Sequence, residues 1–200
     1  TALSAIGISS NGVPLFNPWH NNQGEFLASS RDAITFATFS SCCGHPSGAG
    51  PGRTGAGPYH YHKYPKCLRL MDDIYKTEKD KCDELDALIA AGEHSPMIGL
   101  AIDGYPIYGP VGYVDVASSI AKISKILVSS YTGTYVNNVP TLIAGSGDLD
   151  ECNGIWSPTP EYPAGIYHYV MSVEPMGGFS GTKVNRKILQ YFAYDVRSIL

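Results

Sequence analysis

Along the chain, apolar and polar positions alternate in short runs cut by Asn-Gly, Asp-Gly and Pro, a pattern of strands and tight turns rather than of long helices. Residues 6–18 align without gaps to residues 98–110: Ile6-Gly7, Asn11-Gly12, Pro14 and Pro18 meet Ile98-Gly99, Asp103-Gly104, Pro106 and Pro110. Each segment predicts strand, turn, strand, because Asn-Gly and Asp-Gly tolerate the positive φ that a tight reversal needs. A second pair of blocks follows in the same order. Cys42-Cys43-Gly44 precedes Tyr59-His60-Tyr61, and Cys152-Asn153-Gly154 precedes Tyr167-His168-Tyr169; Cys42 and His60 are 18 residues apart, Cys152 and His168 16. Matched blocks in matched order predict a duplicated unit whose halves, 6–65 and 98–175, pack about a pseudo-twofold axis.

One segment breaks the strand pattern. Over 68–91, Leu70, Ile74, Leu85, Leu88 and Ile89 recur at helical spacing and Gly92 supplies a stop, which predicts an inserted helix that also carries Cys82. The mixed charges of 76–84 read as its solvated face. Residues 118–126 suit a short helix or a strand, the Gly- and Pro-rich stretch 46–58 predicts an irregular loop walling a site, and 187–196 predicts a last strand. The expected fold is mainly β (α+β), a single compact domain over 1–200 built from two β halves and one inserted helix.

Composition narrows the functional classes. The 200 residues include 22 Gly, 14 Pro and 14 Tyr; 44% are hydrophobic, only 16% are charged, and the net charge is −4. Such a chain has material for a core and is neither a highly charged disordered segment nor a helical bundle. Its Lys and Arg form no cluster, so nucleic acid has no electrostatic handle. No apolar stretch approaches the ~20 residues that a membrane-spanning helix requires. The first residues, Thr1 to Gly7, lack the basic and apolar regions of a leader, which reads as a mature, processed form.

Cysteine usage points to a compartment. Cys42, Cys43, Cys67, Cys82 and Cys152 contain no Cys-x-x-Cys pair and suit a disulfide framework in a secreted or cell-surface protein. The bland alternative is a cytosolic protein with buried thiols. A Cys42–Cys67 bond would close a loop of 26 residues around the His strand and stabilise it by roughly 3 kcal/mol in the chain-entropy model. Cys43 reaching Cys82 would leave Cys152 odd, and other pairings stay open. An odd thiol admits an interchain disulfide or self-association.

Candidate chemistry centres on histidine. In a strand, His60 and His62 point to one face with their side chains about 6 to 7 Å apart at the base, able to converge on one ion. Tyr59 and Tyr61 then take the opposite face. His45 follows a Cys-Gly turn and His168 holds the place of His60 in the second half, so face-to-face packing of the halves would gather three or four imidazoles. Neutral imidazoles without paired thiolates suit copper or zinc, and also nickel or iron. The competing readings are a strand whose imidazoles merely bond buried carbonyls, and acid–base catalysis by a His. His20 and His94 lie outside the repeats and read as surface or capping residues. Asp103 and Asp150 read as turn-forming and backbone-capping residues, or as groups orienting the His ligands. No nucleophile elbow and no nucleotide-binding glycine pattern occurs.

The Cys-x-Gly-His turn at 42–45, Tyr59-His60-Tyr61-His62, the block 98–109, and the Leu149-Asp150-Glu151-Cys152-Asn153-Gly154 turn with its Tyr167-His168-Tyr169 strand together resemble the YHYH domain family, from about Ile6 to Pro175. The resemblance implies a secreted or surface domain and brings no established activity. It also marks departures. Ser40 stands where the family has Asp, Cys43 where it has Gly, the helix with Cys82 is extra, and 175–179 lacks a late Cys, which implies that Cys152 pairs with Cys43, Cys82 or another chain. The expected function is a secreted, disulfide-stabilised, non-enzymatic binding or structural module with copper or zinc on His45, His60, His62 and His168. The alternatives are a subunit of an extracellular polymer or matrix, and a metal-dependent hydrolase or oxidase.

Overall fold

Both glycine-centred repeats fold as hairpins with the same register. Strands β1 (Ala5–Ser9) and β2 (Pro14–Phe16) pair antiparallel through Ala5↔Phe16, Gly7↔Leu15 and Ile8↔Pro14, with an irregularity between Ala5 and Gly7. Gly12 has φ of 80°, and its N–H donates to the Ser9 carbonyl at 2.9 Å. The computed structural model describes residues 5–17, 19–20, 31–32, 39–40, 42–47, 57–65, 68, 78–136, 139–172, 174–175 and 186–187. After the first hairpin come β3 (Trp19–His20), β4 (Arg31–Asp32), β5 (Gly44–Pro46), β6 (Tyr59–Tyr61) and helix α1 (Glu78–Ala91). The second hairpin is β7 (Met97–Ala101) and β8 (Pro106–Tyr108), paired through Met97↔Tyr108, Gly99↔Ile107 and Leu100↔Pro106. Then follow β9 (Val111–Gly112), α2 (Val116–Ile120), β10 (Lys125–Ile126), β11 (Tyr131–Val136), β12 (Val139–Leu142), β13 (Gly154–Ser157), β14 (Ile166–Val170), β15 (Glu174–Pro175) and β16 (Arg186–Lys187).

Eight of these strands form one sheet in the order β13-β14-β8-β7-β1-β2-β6-β5, which reads the same from either end once the halves are exchanged. The centre is the antiparallel β1–β7 pair, with Gly7↔Ala101, Ile8↔Leu100 and Ser9↔Gly99. Ile8 and Leu100 are repeat equivalents facing each other, so the pseudo-twofold axis passes between them. The flanking bonds obey the same symmetry: Ser10 N–H donates to the Ile98 carbonyl at 2.7 Å and Ile102 N–H to the Ile6 carbonyl at 3.0 Å. A Cβ on Gly7 would lie 2.6 Å from the Leu100 oxygen, and one on Gly99 2.1 Å from the Ile8 oxygen. Both glycines are there because backbone approaches backbone at the seam.

The halves thus join edge to edge, and the face-to-face arrangement that would gather the imidazoles of both halves is not the one formed. Adjacent strands lie about 4.8 Å apart, so β6 and β14, five steps apart in the sheet order, are separated by roughly 24 Å. His60 and His168 do not converge. One face of the sheet carries the main core, with Ile6, Leu15, Tyr61, Tyr64, Ile98, Ala101, Ile107, Tyr169 and Met171 buried together.

Leu127 and Leu149 cover Ile155 and Val170 of the second half. On α1, Leu85 and Leu88 bury against Val111, joined by Ile89 and Ile126. The helix stops as Gly92 demands: its φ is 65°, Glu93 N–H donates to the Leu88 carbonyl and Gly92 N–H to the Ile89 carbonyl, the paired bonds of a Schellman cap. A Cβ there would strike the Lys122 carbonyl oxygen. Predicted helix residues 69–77, including Leu70 and Ile74, lie outside the described residues, as do the side chains of 78–84 with Cys82. The 118–126 ambiguity resolves into both options, a helical turn started by a capping box between Asp115 and Ser118 and then β10. Of the predicted last strand, 188–196 lies outside the described residues.

Candidate metal centre

The centre is built at the β5–β6 edge. His45 and His60 are direct cross-strand partners and therefore share a face. His62, two residues beyond His60, returns to that face. The ligating nitrogens of His45, His60 and His62 all lie within 4.8 Å of one another. His60 and His62 are each 3% exposed. Phe16 stacks on the His60 ring at a centroid distance of 4.2 Å, Phe39 lies 4.9 Å from the His45 ring, and Lys63 caps Phe39 with its Nζ 4.5 Å from the ring centre.

The imidazoles are oriented by backbone carbonyls. His60 Nδ1 lies 3.0 Å from the Pro58 oxygen, and His62 Nδ1 lies 2.6 Å from the Asn17 oxygen. A carbonyl only accepts, so each Nδ1 carries its hydrogen and each neutral ring leaves a lone pair on Nε2. These two Nε2 atoms are 2.9 Å apart. Two lone pairs at that separation repel unless a proton or a metal ion sits between them. Two imidazole–metal bonds of about 2.0 to 2.1 Å at about 90° span the same distance.

Pseudo-symmetry places a different set in the second half. In β13–β14 the cross-strand partner of His168 is Ile155, so the place of His45 is taken by Ile155 and that of His62 by Val170. His168 is fully buried, with Nδ1 3.0 Å from the Ile166 oxygen, the same bond to the residue two before that His60 makes. The expectation of His168 as a fourth ligand is corrected: the His45, His60, His62 group does not include it. His94, expected at the surface, is 6% exposed, its ring 5.9 Å from that of His168 and its Nδ1 2.7 Å from the Ser95 oxygen. Burial pushes the His168 imidazole down to about 4, with His94 beside it acting in the same direction. Burial lowers His94 likewise.

Tyr59 and Tyr61 alternate with His60 and so take the opposite face. Asn11 Nδ2 donates to Tyr61 OH at 3.1 Å, and the Ser40 and Tyr59 hydroxyls are 2.7 Å apart. In the second half the equivalent bonds end on carboxylates: Tyr169 OH donates to Asp103 Oδ2 at 2.5 Å and Tyr167 OH to Asp150 Oδ2 at 2.8 Å. Asp150 Oδ1 also accepts from the Cys152 and Gly154 amides. These carboxylates thus hold turn amides and tyrosine hydroxyls. Burial raises Tyr167 and Tyr169 and the carboxylates add to it, so both stay protonated donors.

Cys42 is half of a disulfide, whereas Cys43 and Cys152 carry thiols. The pairings of Cys43 with Cys82 or Cys152 are thus not formed. Cys43 has φ of 68° and its counterpart Asn153 59°, a left-handed position that explains why glycine suits it.

Sequence reasoning missed Phe16, Asn17, Pro58 and His94. The repeat held a signal for the first of these, since Phe16 aligns with Tyr108, which lies 5.0 Å from the His168 ring. No helix among the described residues is long and apolar enough to cross a membrane. Searches of curated proteins and of solved structures found no match. A family model described as YHYH protein matches residues 1–177, which covers every motif in both halves, and the chain belongs to that family.

Proposed function

We propose that the protein is a secreted, disulfide-stabilised binding or structural module that holds one transition-metal ion, copper or zinc, on His45, His60 and His62. The observation that carries this reading is the 2.9 Å approach of His60 and His62 Nε2 while both Nδ1 atoms are engaged by carbonyls. Removing two charges' worth of hydration is not required of the ligands, since imidazoles bind as neutral groups, and the aromatic walls exclude water from the ion. The half-cystine at Cys42 supports a compartment where disulfides persist. Elemental analysis of protein purified without chelator tests the centre. The double change His60→Ala, His62→Ala is expected to remove one equivalent of metal. Metal content that is low in the wild type and unchanged in the double variant would overturn the reading.

A further inference from the structure

The second half carries an imidazole pair that the first centre does not use. His94 and His168 come from different segments, the approach to β7 and strand β14, and both are more than nine-tenths buried. Each has Nδ1 against a carbonyl, at 2.7 Å to Ser95 and 3.0 Å to Ile166, so each neutral ring keeps its lone pair on Nε2. Neither Nε2 has a hydrogen-bond partner, and neither does the buried hydroxyl of Ser157. In β13, Ser157 lies two residues from Ile155, the cross-strand partner of His168, and so shares its face. Buried acceptors without a partner are costly, and two in adjacent rings need a common explanation.

Tyr108 packs against both rings, at 5.0 and 5.1 Å, as Phe16 packs against His60 and His62 at 4.2 and 5.9 Å. His94 thus rebuilds, from another part of the chain, the partner that the repeat lost when Val170 took the place of His62. The Tyr108 hydroxyl is occupied elsewhere: it gives its one proton to Glu161 Oε2 at 2.7 Å and accepts from the Thr159 hydroxyl at 3.0 Å. That contact instead puts one carboxylate behind the ring, a charge suited to a single positive ion.

We propose that His94 and His168 form a second site, for one copper(I) ion held between two imidazole nitrogens. The ring separation is consistent with two-coordination of one ion. With imidazole–metal bonds of about 2.0 Å and a ring centre about 1.1 Å behind Nε2, two rings opposed across one ion stand about 6 Å apart. The observed 5.9 Å, with the ring planes at 62°, is close to that, whereas the His60–His62 centroids are 4.7 Å apart. Two neutral donors without a further ligand suit copper(I), which accepts two-coordination and brings a single charge into a buried place. Zinc takes four ligands in structural sites.

The test is anaerobic titration of the intact protein with buffered copper(I), with zinc(II) as the comparison. Wild-type protein is expected to bind one equivalent of copper(I) beyond the His45, His60, His62 centre. The His60→Ala, His62→Ala variant keeps that equivalent, and the His94→Gln, His168→Gln variant loses it. In wild-type protein, the nitrogen NMR signals of His94 and His168 Nε2 are expected to move on copper(I) addition, a readout that needs no variant to fold. Failure of the first centre shows as loss of metal from the trio alone and leaves this outcome readable. Unmoved His94 and His168 signals, an extra equivalent that survives their replacement, or preferential filling of the pair by zinc(II) would each overturn the proposal.

Discussion

The two halves share a backbone and divide its chemistry. On one face the first half sets His45, His60 and His62 where the second sets Ile155, His168 and Val170. Ile155 and Val170 belong to an apolar cluster with Leu127 and Leu149, so the second half fills with hydrocarbon the space that the first leaves for imidazoles. On the other face the order is reversed: Asn11 and Ser40 are neutral where Asp103 and Asp150 are charged, yet each holds the matching tyrosine. The second half shows that the hairpin pair with this register forms with Ile155 and Val170 in place of His45 and His62.

The largest effect that tests this symmetry is expected at the seam. Gly99→Ala would force a Cβ within 2.1 Å of the Ile8 carbonyl oxygen, with no flexible side chain to yield, and should cost about 3 kcal/mol or more. Gly7→Ala, where the clash is 2.6 Å, should cost less. Chemical denaturation of both variants measures it, and losses below 1 kcal/mol would contradict a close backbone junction between the halves.

A second difference lies in acid sensitivity, measured on chelator-treated protein. Burial holds the His168 imidazole down to about 4, against an ordinary 6.5. As pH falls below 6.5 the unfolded chain takes up the proton first, so the stability present above 6.5 is lost progressively down to about 4. The contribution is roughly 3 kcal/mol, and His94 acts in the same direction. The wild type should therefore lose more stability across this window than His168→Gln. Parallel pH profiles for the two would contradict burial of a neutral imidazole.

The smallest stability effect is expected from making the first half like the second. His45→Ile with His62→Val copies Ile155 and Val170 onto the trio. Metal at that centre should be lost while the metal-free protein stays within about 1 kcal/mol of the wild type, because apolar groups replace polar ones in a place where shape is conserved. A metal-free variant that fails to fold would show that the first half needs its imidazoles for structure.

Much of this was legible before any tertiary contact was known. The Asn11-Gly12 and Asp103-Gly104 turns, the matched hairpins, the helix stop at Gly92 and the shared face of His60 and His62 follow from local rules: positive φ at glycine, helical spacing, and a side-chain period of two in a strand. His94 was not legible, because it belongs to no repeat and is buried by contacts with Tyr108, Tyr113 and His168 from distant positions. Nor were the carbonyls of Asn17 and Ser95 that turn the rings, since any residue supplies a carbonyl.

The sequence by itself determined that there are two equivalent units and which residues each unit offers. Only the tertiary structure decided how the units meet. A repeat specifies internal register and leaves face-to-face and edge-to-edge association equally open; the close approach of β1 and β7 at Gly7 and Gly99 selects the edge. That choice puts roughly 24 Å of sheet between His60 and His168, and so turns one expected four-histidine cluster into a trio at one end and a buried pair at the other.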